Sequence, residues 1–437
     1  MTPARRAPTT LTTSPTTAPE QPPAGRPAAM RFILLTVLID MMSIGLIVPV
    51  FPGLVGQFTS NPAEQAFWYG AVAFTFGIVN FFSAPVLGAL SDRYGRRPVL
   101  LLGFCGFAFS FFATALATQL WVLVAVRVVS GALQANAAVA NAYVADITAP
   151  QDRAKRFGQL GAMFGIGFIL GPVMGGLLGS IDLHWPFFAA GTLALVNLVY
   201  GYFVLPESLP PERRNKASIR SLNPVAALMH LGSLKGVGGL IAVSGLCTLA
   251  QFILHTSWVL YTGLRFDWGP RDNGWSLFTV GVASAIVQGM LLQRLLKRFG
   301  ATRLATIGLV SGTLANLGWA LATEGWMMYA VIGLNVFGFT VAAAIQSIVS
   351  NATDQRTQGQ TMGAMAALTS LTAVLAPMIG APLLGIVSHL PHNDWRVGAP
   401  FFFCSALLAV ATAVAMRHFS RLARQAPSTT PAASTAG

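Results

Sequence analysis

Gly88-Ala89-Leu90-Ser91-Asp92-Arg93-Tyr94-Gly95-Arg96-Arg97 stands between two long apolar runs, and its three arginines and single aspartate mark a place where the chain leaves an apolar environment. Moving outward, the flanking runs cover residues 67–88 and 98–117. Crossing about 30 Å of hydrocarbon takes roughly 20 predominantly apolar residues in a helix. By that measure further spans lie at 32–55, 119–141, 157–179 and 186–205, and a second set at 238–262, 273–293, 302–321, 325–349, 360–386 and 397–416. The 437 residues are 54% hydrophobic and only 9% charged, against about 25% charged in soluble domains. The expected fold is therefore an all-α membrane protein of twelve transmembrane helices. They would form two six-helix bundles, residues 31–205 and 238–416, joined by a polar central loop at 206–237.

The tails at 1–30 and 417–437 are short and low in complexity, a composition that cannot bury a core. No Ala-x-Ala-like site follows the first apolar run, so it reads as a span rather than a leader. When alternate loops are assigned to opposite sides, 23 of the 27 Lys and Arg residues share the side of the quoted segment. Both termini and the central loop are then expected in the cytoplasm. The formal charge of +13 is thus a mark of topology, and no nucleic-acid partner is expected. Cys105, Cys247 and Cys404 are scattered through apolar runs, and His389 and His392 lack a third ligand, so no metal site is expected.

The halves repeat one another. Gly171-Pro172-Val173-Met174-Gly175 is echoed by Ala376-Pro377-Met378-Ile379-Gly380, and Pro186-Phe187-Phe188 by Pro400-Phe401-Phe402. Asp152-Arg153-Ala154-Lys155-Arg156 has a counterpart in Asp354-Gln355-Arg356. Two copies in one orientation imply bundles related by an axis along the membrane normal.

The quoted segment resembles the cytoplasmic loop signature of the major facilitator family, Gly-x-Leu-x-Asp-Arg-x-Gly-Arg-Arg. That resemblance implies a conformational latch made of Gly88, Asp92, Arg93, Gly95 and Arg96 with Asp146 at the end of the fourth span. In the fifth span Gly167, Gly171, Gly175 and Gly179 recur every four residues, leaving one face bare of side chains, and Pro172 removes a backbone hydrogen bond where the helix could bend. Gly167, Gly171, Pro172, Gly175 and Gly176 resemble the Gly-x-x-x-Gly-Pro-x-x-Gly-Gly signature of the family's drug–proton antiporters.

Asp40 interrupts the first span, at an insertion cost of about 2.5–3.5 kcal/mol for a carboxylate near the bilayer centre. A carboxyl kept there is a candidate proton carrier. The surrounding run from Asp40 to Pro52 resembles the first span of tetracycline exporters. Arg127 with Gly131 in the fourth span matches the family's intramembrane arginine, expected to act on Asp40 if the two come close. A substrate cavity is expected to gather Gln134, Asn136, Gln251, His255, Trp258, Asn335 and Gln346, polar and aromatic groups in otherwise apolar helices.

The resemblance therefore implies proton-coupled export of drug-like small molecules, with tetracycline among the candidates. It implies a monomer in a bacterial-type inner membrane that is driven by the proton gradient without a cofactor. Two departures bear on the substrate: acids expected in the third and ninth spans of tetracycline exporters fall at Ser110 and Gly312. A metabolite transporter of the same fold is the alternative, and a membrane-embedded enzyme the alternative of another class.

Overall fold

The computed structural model describes residues 26–134, 136–214, 238–351 and 358–425. Most of the expected tails and of the central loop, together with Asp354-Gln355-Arg356, lie outside them. Long apolar runs become helices because a backbone in hydrocarbon must satisfy its own hydrogen bonds. The first half comprises α1 (Arg26–Ile47), a short α2 (Phe51–Gly56), α3 (Pro62–Tyr94), α4 (Arg96–Ala115), α5 (Leu120–Leu133), α6 (Asn136–Ile147), α7 (Arg153–Gly179) and α8 (Trp185–Val204). The second comprises α9 (Gly238–Phe266), α10 (Pro270–Ile286), α11 (Leu292–Leu321), α12 (Gly325–Leu334), α13 (Val341–Asn351), α14 (Gln358–Val387) and α15 (Ala399–Gln425).

Among the described residues, ten helical runs are long and apolar enough to cross a membrane, and α12 with α13, bent by 55°, supplies one more. One of the ten is the 52-residue run Pro270–Leu321. It holds two spans, divided at Gly300, whose φ of 72° and ψ of 160° leave the helical region. That makes twelve. The first span ends earlier than expected, at Ile47, because Pro49 and Pro52 stop the helix and restart it as α2.

The same packing scheme appears in both halves. α1 packs on α7 and α8, and α4 on α8. In the second half α9 packs on α14 and α15, and α11 on α15. The fourth and tenth spans are each broken midway, at Gln134 and around Asn335. Asn80 of α3 caps the first break, donating to the carbonyl of Gln134 at 2.5 Å, and Ser311 of α11 donates to Asn335 Oδ1 at 3.1 Å at the second.

The halves meet through α3 against α14 and α7 against α10. These contacts lie toward the side opposite the loop signature. A Cβ at Gly70 would come within 2.8 Å of Ala381, one at Gly77 within 3.3 Å of the Val374 Cα, and one at Gly274 within 2.6 Å of the Pro172 carbonyl. On the signature side the same faces have nothing against them: a Cβ at Gly88, Gly161, Gly165, Gly289 or Gly363 would meet no atom within 4 Å. The interior is therefore open toward the signature and shut at the far side, where a vestibule of about 400 Å³ remains between Pro52, Gln65, Trp268 and His392. At that far surface the Arg396 guanidinium bonds Asp394 and holds its carboxyl down at about 2.

Candidate functional site: a buried carboxyl, a glycine wedge and a loop latch

Asp40 sits on α1 facing the interior of the first half, only 4% exposed. Both carboxylate oxygens are occupied. Asn136, the first residue of α6 beyond the break, donates Nδ2 to Oδ2 at 3.1 Å, and Asn197 of α8 donates Nδ2 to Oδ1 at 3.1 Å. The break at Gln134 is what brings Asn136 to the carboxyl, and Gly103 of α4 makes room for it: a Cβ there would coincide with the Asn136 amide.

Arg127 does not reach this acid. Its guanidinium lies 4.2 Å from the centre of the Phe51 ring, and its Nη2 is buried without a hydrogen-bond partner. A ring face compensates part of the cost of a desolvated cation. The direct Asp40–Arg127 encounter anticipated from the sequence is thus absent here, because α5 and α6 carry the two polar groups on either side of the helix break.

The glycines of α7 are used on two faces. Gly167, Gly171 and Gly175 accept α1: a Cβ at Gly167 would lie 2.6 Å from the Met41 Cβ, one at Gly171 2.7 Å from the Gly45 Cα, and one at Gly175 would overlap the Leu46 carbonyl. Gly176 and the Pro172 carbonyl accept α10 of the other half instead, a Cβ at Gly176 falling 2.6 Å from the Pro270 carbonyl. The helix runs unbroken through Pro172. The signature thus builds a wedge, with the helix that bears Asp40 on one face and the contact between the halves on the other.

At the loop signature, Arg96 pairs with Asp92 at 2.5 Å and with Asp146 at 3.1 Å, so the pairing implied by the resemblance is present. Arg93 lies outside this pairing, stacked 5.4 Å from the Tyr94 ring. Sequence reasoning missed Glu207, just past α8. Its carboxylate accepts from the backbone N–H groups of Arg96 at 2.8 Å and Arg97 at 3.3 Å, capping the start of α4 where the helix dipole favours an anion. It fits only because Gly95, at φ 110°, has no side chain. Ser208 donates to Asp146 at 3.3 Å, tying the same segment to α6.

Of the expected cavity residues, Gln251 and His255 on α9 are brought together, 2.8 Å apart. The His255 ring stands 6.5 Å from that of Phe168 on α7, so the pair faces the divide between the halves. Gln346 is exposed on α13. Gln134 and Asn335 mark the helix breaks, and Asn136 is spent on Asp40. Trp258 is corrected outright: it is 3% exposed, donates to Ser276 Oγ at 3.0 Å and packs edge-on against Trp319 in the core of the second half. An indole in an apolar helix satisfies its N–H as readily inside a bundle as at a cavity wall.

The family model described as Major Facilitator Superfamily matches residues 33–377. The chain belongs to the major facilitator superfamily. It is 39% identical over 375 residues to the tetracycline resistance protein, class C, of Escherichia coli, covering 86% of this chain and 94% of that protein. It is 32% identical over 387 residues to the class B protein, also of Escherichia coli, covering 88% and 95%. Among solved structures, the human organic anion transporter MFSD10 superposes with a TM-score of 0.67 at 23% identity, covering 90% of this chain and 100% of that one. The nucleoside transporter NupG superposes at 0.72 and 15% identity, covering 90% and 99%. At these identities the structural likenesses establish the fold of this facilitator and nothing more. Membership of this superfamily sets the membrane-enzyme alternative aside.

Proposed function

We propose that this facilitator exports drug-like small molecules in exchange for protons, by alternating access of the cavity between its halves. The observation that carries this is Asp40. It is a carboxyl buried in a membrane helix with amides but no cation against it, on the helix that the α7 wedge links to the contact between the halves. An intramembrane acid marks an ion pathway by default. The tetracycline resistance proteins among its relatives support drug-like substrates, tetracycline among them.

In this reading both termini lie in the cytoplasm of a bacterial cell and the cavity opens inward, an orientation that the charge bias of the loops supports. The working unit in this reading is a monomer, with the proton gradient as its energy source and no cofactor. Tetracycline and a cationic dye offered to inverted membrane vesicles should be taken up when the lumen is acidified, and uptake should stop with a protonophore. Parent vesicles that show no pH-driven uptake beyond control membranes, across a broad panel, would leave the metabolite-transporter reading in its place.

Alternating access also makes a distance prediction. Gly77 of α3 lies against Val374 of α14. Gly88 is 11 residues beyond Gly77, and Gly363 is 11 residues before Val374. Eleven residues are about three helical turns, so each returns to the same face, and the antiparallel pair should zip Gly88 against Gly363 when the inner side closes. Gly88→Cys with Gly363→Cys, in a chain lacking Cys105, Cys247 and Cys404, should cross-link under transport conditions and stop transport until reduced. The pair failing to cross-link in every condition that supports transport would refute the register.

His255 and Gln251 give a milder expectation. Removing the ring by His255→Ala forfeits one hydrogen bond and an aromatic face, so the KM for a drug that uses them should rise roughly five-fold. The dependence on Asp40 should persist, and an unchanged KM for every transported compound would remove this pair from the site.

A further inference from the structure

Asn197 of α8 is the one polar residue at Asp40 that neither the sequence motifs nor the superfamily signature assigns. It is fully buried. Its Nδ2 serves two acceptors, Asp40 Oδ1 at 3.1 Å and the Thr36 carbonyl at 3.3 Å. Its Oδ1 is buried with no partner, and so is Thr36 Oγ1, one turn before Asp40 on α1. An orphaned buried acceptor beside a carboxyl is costly and calls for a reason.

The reason lies in the chemistry of a carboxyl that must exist in two states. An ionised carboxylate only accepts hydrogen bonds, whereas a neutral acid carries one O–H donor that needs an acceptor. A primary amide offers both, and turning it end for end exchanges N–H for C=O at nearly unchanged shape. Asn136 is less free to do this, because its amide is packed against Gly103. Asn197 has its unused oxygen available.

We propose that Asn197 is a positioning residue for the coupling carboxyl, donating Nδ2 to the ionised Asp40 and, with its amide turned, accepting through Oδ1 the O–H of the protonated acid. The proton stays on Asp40 in that step, and no bond other than hydrogen bonds is exchanged. The helices packed on α1 here are α6, α7 and α8. They present Asn136, the glycines of the wedge and Asn197, and no titratable or charged side chain among the described residues faces Asp40. Asn197 is therefore the partner able to follow its charge. The consequence for transport rests on the proposed role of Asp40 as the coupling group; the local claim does not.

The test can be made without a substrate. Infrared difference spectra of the purified full chain in lipid, recorded across a pH titration, contain a protonated-carboxyl C=O band that Asp40→Asn removes, which identifies it. In Asn197→Leu, which keeps the branched heavy-atom skeleton but cannot hydrogen-bond, that band should shift to the higher frequency of a less hydrogen-bonded acid, and its titration midpoint should be displaced by about one pH unit. Asn197→Ser, which keeps a group that both donates and accepts, should restore most of both. A structural role alone would lower thermal stability in both variants and leave band and midpoint at their parental values, and that result would overturn the proposal. If Asn197→Leu does not fold, Asn197→Ala takes its place, and an Asn197→Ala protein whose Asp40 band matches the parent in frequency and midpoint would equally count against it. Should the spectra behave as expected while vesicles show no pH-driven transport, the amide's role stands and the export reading falls.

Discussion

Asp40→Asn should reduce pH-driven accumulation in inverted vesicles to the level of control membranes, at unchanged protein abundance. The substitution keeps the shape of the side chain and one acceptor oxygen, and its NH2 can be met by the unused Asn197 Oδ1 once that amide turns, so α1, α6 and α8 should still assemble around it. What disappears is the exchangeable proton. One proton moving inward is worth about 2.3 kcal/mol per 100 mV, enough for a substrate gradient of roughly 50-fold at 1.4 kcal/mol per tenfold. The expected loss is that whole gradient, leaving at most equilibration. Concentrative uptake by the variant at the parental level would remove Asp40 from the coupling step. Arg127 could not take over that role in this conformation, since its nearest identified partner is the ring of Phe51.

How legible was this in the sequence? Spans, halves and both signatures were legible because they depend on local order: run length, charge side, and a four-residue glycine period that any helix converts into a face. The Arg96–Asp146 pair was legible only through the resemblance to the family's loop signature, since the two residues lie 50 apart in sequence. Asn197 was not, because it lies 157 residues from Asp40 and an asparagine in a long apolar helix looks like any packing residue. Glu207 was hidden in a loop whose role depends on where α4 begins. Trp258 was misjudged because helical periodicity tells which residues share a face and not whether that face meets a cavity or a neighbouring helix. The absent acids at Ser110 and Gly312 are now intelligible as packing. Ser110 is buried in α4, and Gly312 lies against Leu408 with its carbonyl taken by Asn316, so neither position faces an open polar space.

The loop signature holds two glycines that should fail in opposite ways. Gly95 has φ 110° and ψ 158°, a region almost closed to side chains, and the space a Cβ would need is filled by the Glu207 carboxylate. Gly95→Ala should cost about 1–3 kcal/mol in backbone strain and should also uncap α4 by displacing Glu207. The variant should unfold at a clearly lower temperature and transport poorly for that reason. Gly88 is helical and a Cβ there meets open space, so Gly88→Leu should be tolerated in this open state. In the closed state its side chain would have to enter the seam with Gly363, where neighbouring contacts such as Gly77 to Val374 leave no room for four extra carbons. Gly88→Leu should therefore unfold at the parental temperature or above it and yet lose nearly all transport, because it holds the inner side open. Thermal unfolding and vesicle uptake measured on the same preparations separate the two cases. A Gly88→Leu protein that transports at the parental rate would mean that α3 and α14 do not close along this face, and the rocking of the halves would have to use another seam.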